Sequence, residues 1–152
     1  MTAIDPKPFE LPANSDFASA LAKHAAERPD AIATLEGERR VTWREQVERI
    51  RRVANALIDL GIAPGDRVAV IGRNSIEYAD VFLGALLARA CIVPLPTMAS
   101  AESLVMMMND SGSRVLIGAR DYLEPLVPSL AGLERLLPGG CFGFDFEDAR
   151  FS

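Results

Sequence analysis

The sequence predicts an α/β fold, a parallel sheet flanked by helices, with a short N-terminal hairpin ahead of it. Three observations carry that expectation. Residues 42–95 read without interruption as helix, turn, strand, helix, strand. The strand runs Arg67–Ile71 (RVAVI) and Cys91–Leu95 (CIVPL) are continuously apolar rather than alternating, as strands covered on both faces are. The link from the second helix to the second strand is very short, which completes a right-handed βαβ crossover.

A chain of 152 residues with 49% apolar and 24% charged residues has the balance of a globular domain and can bury a sizeable core. The net charge of −5 offers no positive field to gather nucleic acid or anionic lipid, so neither is an expected partner. Cys91 and Cys141 are too few for a disulfide framework and lack zinc-ligand spacing. The first residues form no signal peptide, and the most apolar run, Val81–Leu95, is broken by Arg89 and short of the roughly 20 residues a membrane span needs. The expected setting is cytoplasmic.

Residues 1–14 carry three prolines without periodicity and read as an extended leader. A helix starts at Ser15 or Asp16, with Phe17, Ala20, Leu21 and His24 on one face, and Pro29 closes it. His24, the sole histidine, has a general base or ligand as its functional reading and a half-buried helix residue as its plain one. Ala31–Leu35 and Arg39–Thr42 then form the arms of a hairpin around Glu36-Gly37-Glu38.

Thr42-x-x-Glu45 is a capping box. The helix it opens places Trp43, Val47, Ile50, Ala54 and Leu57 in an apolar stripe and Arg44, Glu48, Arg49, Arg51 and Arg52 on the other face. Those arginines can grip an anionic ligand, or form a solvated face in which Glu45 and Glu48 pair with Arg49 and Arg52 one turn away. Gly61 caps the helix and Pro64-Gly65-Asp66 turns the chain into the strand Arg67–Ile71.

After that strand, Gly72-Arg73-Asn74-Ser75 offers Asn74 or Ser75 as a helix cap, with Asn74-x-x-Glu77 at capping-box spacing. A helix N-terminus in this place can hold a phosphate, but a single glycine is not the Gly-x-Gly-x-x-Gly of a dinucleotide site, and structural capping is the better reading. Ile76, Ala79, Phe82, Leu83, Leu86, Leu87 and Ala90 cover more than one stripe, so this helix is expected to be largely buried. Cys91, in an apolar strand, reads as an inert core thiol rather than a nucleophile.

A further helix is capped near Ala99 or Ser100 and ended by Gly112, with Leu104, Met107 and Met108 on one side; the Met106–Met108 cluster is either an adaptable binding surface or a packing face. Arg114–Gly118 (RVLIG) is a third parallel strand, and a weaker helix spans roughly residues 124–136. The tail, residues 141–152, has no clean period. Its Asp145, Glu147 and Asp148 do not fit a calcium loop, and Phe142, Phe144, Phe146 and Phe151 want cover, which suggests a chain leading toward further segments. The expected organisation is therefore leader 1–14, α/β subdomain 15–140 and tail 141–152.

These pieces, taken in order, resemble the N-terminal part of the adenylate-forming, or AMP-binding, superfamily that includes the acyl-CoA synthetases. The resemblance runs from Phe17 to Gly118 through AAERPDAIA, VTWREQVERIRRVANALIDLGIAPGDRVAVIGRNSIEYADVFLGALLA, IVPLPTMASAESL and NDSGSRVLIG. One departure is local: where the family usually shows Lys-Ala-Gly this chain has Leu87-Ala88-Arg89, which implies a changed contact at a helix end.

The resemblance implies an ATP-dependent acid–thiol ligase as parent, an enzyme that joins a carboxylate to ATP, releases pyrophosphate and passes the acyl group to CoA. ATP, Mg and CoA are the parent's cofactors. The parent's phosphate loop with its lysine, its Thr-Glu, its ribose-binding Asp and its C-terminal lysine are not among the 152 residues. No catalytic, cofactor-binding or metal-binding residue is therefore assigned, and no cofactor is expected for this chain alone. The expected partners are the remainder of the parent enzyme, a small carboxylic acid and CoA for that parent, and a second copy through exposed apolar surface. Two other readings stay open, a free-standing α/β interaction module and a small nucleotide-binding domain.

Overall fold

A computed structural model describes residues 16–144 of the chain. The expected leader, and Asp145, Phe146, Glu147, Asp148 and Phe151 of the tail, lie outside the described residues.

Helix α1 (Phe17–Glu27) starts where the Asp16 carboxylate accepts the Ser19 N–H at 2.6 Å, and of its expected stripe only Leu21 is buried. An antiparallel hairpin follows, β1 (Ile32–Glu36) and β2 (Arg39–Thr42), its register shifting between Ile32 and Thr34. Thr42 and Glu45 then form the full capping box of α2 (Trp43–Asp59), whose Val47, Ile50, Ala54 and Leu57 are buried as the spacing predicts.

The sheet is β3 (Arg67–Ile71), β4 (Cys91–Pro94), β5 (Val115–Gly118) and β6 (Cys141–Gly143), all parallel, in spatial order β4-β3-β5-β6. Helix α3 (Ile76–Leu87) joins β3 to β4, and α4 (Ala101–Ser111), between the Ser100 cap and left-handed Gly112, joins β4 to β5. Period-2 alternation divides the core. Val68, Val70, Val115 and Ile117 face α2 and α3, while Ala69, Ile71 and Leu116 face α4 and the segment after β5. No helix among the described residues is long and apolar enough to cross a membrane.

Several expectations are corrected. The segment after β5 is not one helix over 124–136: α5 (Arg120–Leu123) passes into a 3₁₀ stretch, Glu124–Gly132, because Pro125 and Pro128 remove amide donors that an α-helix needs. The aperiodic tail supplies β6, so the sheet runs past residue 140, and Phe142 and Phe144 pack against the core. Three residues are too few to show a period. Of the two caps the spacing offers for α3, Ser75 is the one used, accepting the Tyr78 N–H at 3.0 Å. Helix α3 is only half buried, Leu86 remaining exposed. In α4 the buried pair is Leu104 and Met108, four apart, whereas Met106 and Met107 face outward.

Cys91 is exposed and not a core thiol, because β4 is an edge strand with residues 91 and 94 turned out. The buried thiol is Cys141 instead, for which the sequence carried no such expectation: burial pushes it up to about 11, which leaves it inert.

Helices α2 and α3 end in the same way. The Ile62 N–H donates to Leu57 O and the Gly61 N–H to Ile58 O; likewise Ala90 N–H donates to Ala85 O and Arg89 N–H to Leu86 O. Both are Schellman caps, which need a left-handed residue. Gly61 has φ +82 and Arg89 has φ +60, so the departure noted at Arg89 places a side chain where glycine fits best. The Arg89 carbonyl, fixed by this turn, accepts the Gly65 N–H at 2.9 Å. Left-handed backbone costs a non-glycine residue about 1–2 kcal/mol, part of which glycine's greater unfolded entropy offsets. Arg89→Gly is therefore expected to stabilise the fold by about 0.5–1 kcal/mol, read as a rise in the urea midpoint; a fall would show that the arginine side chain itself holds the turn.

Candidate functional site

In an open parallel sheet a ligand crevice forms outside the carboxyl ends of adjacent strands whose connections leave on opposite faces. Here those strands are β3 and β5. After β3 the chain goes to α3 on one face, and after β5 it goes to α5 on the other. A cavity of about 340 Å³ lies at this point, lined by Arg73 and Ser75 from the first loop, Ala119, Asp121 and Tyr122 from the second, and Glu36, Arg39, Glu77 and Phe144.

The chain's own groups already engage the start of α3. The Glu36 carboxylate accepts the Ile76 N–H at 3.2 Å, the first amide of α3, and also takes Arg39 Nη1 at 3.0 Å. Gly72 has no room beside it, because a Cβ there would come within 2.8 Å of the Phe144 ring. Arg73 Nε donates to the Tyr122 hydroxyl at 3.1 Å and ties the two loops together. The described residues thus do not fit the phosphates of ATP at this helix start. No group of three or more His, Cys, Asp or Glu among them is arranged to hold a metal ion.

Behind the crevice lies a polar network that sequence reasoning missed. Thr34 Oγ1 donates to Gln46 Oε1 at 2.7 Å, Gln46 Nε2 donates to Asp80, and Arg49 Nε donates to Asp80 Oδ2 at 2.6 Å. Arg49 also approaches Glu77 at 3.5 Å, and Arg39 pairs with Glu77. The network joins the hairpin, α2 and α3. A signal was present: Asp80 stands between Ile76 and Gly84 on the four-residue spacing of an inward stripe, and Gln46 sits beside Val47.

Arg49 therefore does not pair with Glu45, which is committed to capping α2, but points inward to α3. The other arginines do belong to a solvated face: Arg52 meets Glu48 at 3.5 Å and Arg44 meets Asp30 at 3.0 Å. His24 is half buried, its ring 4.5 Å from that of Trp43 and its Nδ1 3.0 Å from Arg28 Nη2.

The two carboxylates of the network respond to pH in opposite senses. Burial raises the Asp80 carboxyl above its ordinary 3.8, outweighing the Arg49 and Gln46 hydrogen bonds. The Arg39 hydrogen bond lowers Glu77 below 4.5. A lowered value means that Glu77 stabilises the fold above its unfolded pKa and that this contribution fades as pH falls through the folded one. Asp80 stabilises below its unfolded pKa and loses that contribution as pH rises through the raised one. Glu77→Gln should therefore flatten the rise of stability with pH below 4.5; Asp80→Asn should steepen it. Urea unfolding at a series of acidic pH values reads both slopes, and equal slopes in the two variants would refute the assignment.

The sequence profile of the AMP-binding enzyme family matches residues 21–140. A feruloyl-CoA synthase from Amycolatopsis sp. is 32% identical over 127 residues, which is 84% of this chain and 26% of that protein. The fatty acyl CoA synthetase of Mycobacterium tuberculosis superposes with a TM-score of 0.72 at 30% identity, over 78% of this chain and 25% of that one. A mutant form of coronafacic acid ligase from Pectobacterium brasiliense gives 0.78 at 22% identity, over 86% and 25%, a likeness of fold alone. The chain thus spans about a quarter of the length of these relatives.

Proposed function

The chain belongs to the AMP-binding enzyme family, and from that premise we propose that it is the N-terminal α/β portion of an ATP-dependent acyl-CoA synthetase, supporting the active site without supplying its reacting groups. The observation that carries this reading is the state of the crevice between β3 and β5. Where an α/β domain of this topology would receive a phosphate, the first amide of α3 is taken by Glu36, Phe144 stands against Gly72, and the Arg73–Tyr122 bond ties the two loops. The same observation counts against the small nucleotide-binding domain. Adenylation needs positioned cations and usually a metal to stabilise the transferring nucleotide. In this reading ATP, Mg and CoA bind through other parts of the parent enzyme, which acts on a small carboxylic acid in the cytoplasm.

Two assays test the reading together. The purified 152-residue chain should release no pyrophosphate from ATP in the presence of carboxylic acids, and turnover would overturn the scaffold role. Residues 21–140, substituted for the matching segment of the Amycolatopsis feruloyl-CoA synthase, should leave that enzyme able to form its thioester. A folded but inactive chimera would mean that this portion does more than support. Self-association belongs to the same reading, with Met98, Met106, Ile58 and Leu35 as the exposed apolar side chains available to it; a constant monomer mass in light scattering across a concentration series would remove it.

A further inference from the structure

A second cavity, of about 220 Å³, opens beside the crevice on the α4 side of the sheet, between the start of α4 and α5. Its floor is apolar: Ile71 at the end of β3, Leu104 of α4 and Leu126 are all buried there. Its rim is polar. Thr97 stands on the loop after β4, and Asp121 and Tyr122 come from α5. Asp121 and Tyr122 also line the crevice, so the two spaces adjoin at these residues.

The polar groups of the rim are not spent on the fold. Among the described residues the Asp121 carboxylate makes no ion pair and no hydrogen bond, and the Thr97 hydroxyl makes no hydrogen bond. Arg73 is near enough to feel the Asp121 charge, yet its Nε goes to the Tyr122 hydroxyl at 3.1 Å. That bond holds Tyr122 as a wall and leaves the carboxylate open beside an apolar floor.

We propose that this cavity binds a small primary amine, with its apolar body on the floor and its ammonium against Asp121 and Thr97. Size limits the ligand. Drug-sized molecules fill about 300–1,000 Å³, whereas a space of about 150 Å³ takes a benzene ring, so 220 Å³ suits a ring bearing a short arm. Charge selects its sign, because an unpaired carboxylate on a chain of net charge −5 favours a cation over a neutral or anionic analogue. An ammonium carries three donors, enough for the carboxylate and the hydroxyl together. The proposal does not depend on the adenylate-forming reading.

The test is nuclear magnetic resonance on the ¹⁵N-labelled 152-residue chain near neutral pH, titrated separately with benzylamine, benzyl alcohol and benzoate. The three share a ring and differ in charge. Benzylamine should give saturable shifts at the amides of residues 97–101 and 121–124. It should bind about twofold to fivefold tighter than the alcohol, as a partly exposed ion pair allows, and benzoate should bind weakest. Asp121→Asn should erase the preference for the amine and leave the alcohol's affinity as it was. Ala101→Leu, which puts a larger side chain into the cavity wall, should abolish the saturable shifts. Asp121 is exposed and leucine suits a helix as well as alanine nearly does, so both variants should fold, and unchanged sheet resonances check it. Absence of saturable shifts, or shifts that survive Ala101→Leu, would overturn the proposal. So would an amine preference that persists in Asp121→Asn, or benzoate binding as tightly as benzylamine, which would give the site to Arg73.

Discussion

Asp80→Ala is expected to lower stability by about 3 kcal/mol, toward the lower end of what breaking a buried ion pair costs. The Asp80 side chain is 5% exposed and receives both Arg49 and Gln46, and Gln46 is itself buried. Truncation leaves the Gln46 amide donor without its acceptor and Arg49 with only the longer Glu77 contact at 3.5 Å. Arg49 retains one-third of its exposure, and the water that reaches it moderates the loss. Two companion variants separate the causes. Asp80→Asn keeps an acceptor for Gln46 and should cost less than the alanine. Asp80→Leu with Arg49→Met replaces the pair by apolar side chains and should recover most of the stability, since a buried pair contributes little beyond its own desolvation. Urea denaturation reads all three, and an alanine variant within about 0.5 kcal/mol of wild type would mean that the network is not buried in solution.

Gly84→Ala is expected to destabilise by about 1–2 kcal/mol, the opposite of the usual result for a glycine inside a helix. A Cβ at Gly84 would lie 2.5 Å from Cβ and Cγ1 of Val53 and 3.1 Å from the Ile50 carbonyl oxygen. Glycine therefore sets how closely α2 and α3 approach, and a β-branched side chain fixed on the facing helix cannot swing away. The diagnostic measurement is the double-mutant cycle with Val53→Ala. A favourable coupling of about 1 kcal/mol is expected, because contacting sites are not additive. A Gly84→Ala protein more stable than wild type would show that the two helices separate at little cost.

Local signals fixed much of the fold. The capping box at Thr42 and Glu45, the left-handed Gly61 and Gly112, and the apolar runs at residues 67–71 and 91–95 each depend on a few neighbouring residues, and each lies where its spacing put it. The illegible elements were short or proline-broken, as β6 and Glu124–Gly132 show. Cys91 was misread because its residue type suits a core while its position in the sheet is an edge. Strand order is a long-range property that a strand's own residues do not record.

The crevice divides in the same way. Its glycine-poor turn argued in sequence against a dinucleotide site, and residues 17–118 carried the family resemblance. What fills the crevice was decided elsewhere. Glu36 comes from the hairpin and Phe144 from just after the last described strand, 40 residues before and about 70 after the amide and glycine they cover. By itself, then, the sequence determined helices α1 to α4, the Thr42 cap, strands β3 to β5 and the family likeness, because these follow from spacing within a few turns. Only the tertiary structure decided that Arg49 belongs to Asp80, that Arg89 takes a left-handed backbone, and that Glu36 caps the first amide of α3, because burial and long-range pairing exist only once the chain has come together.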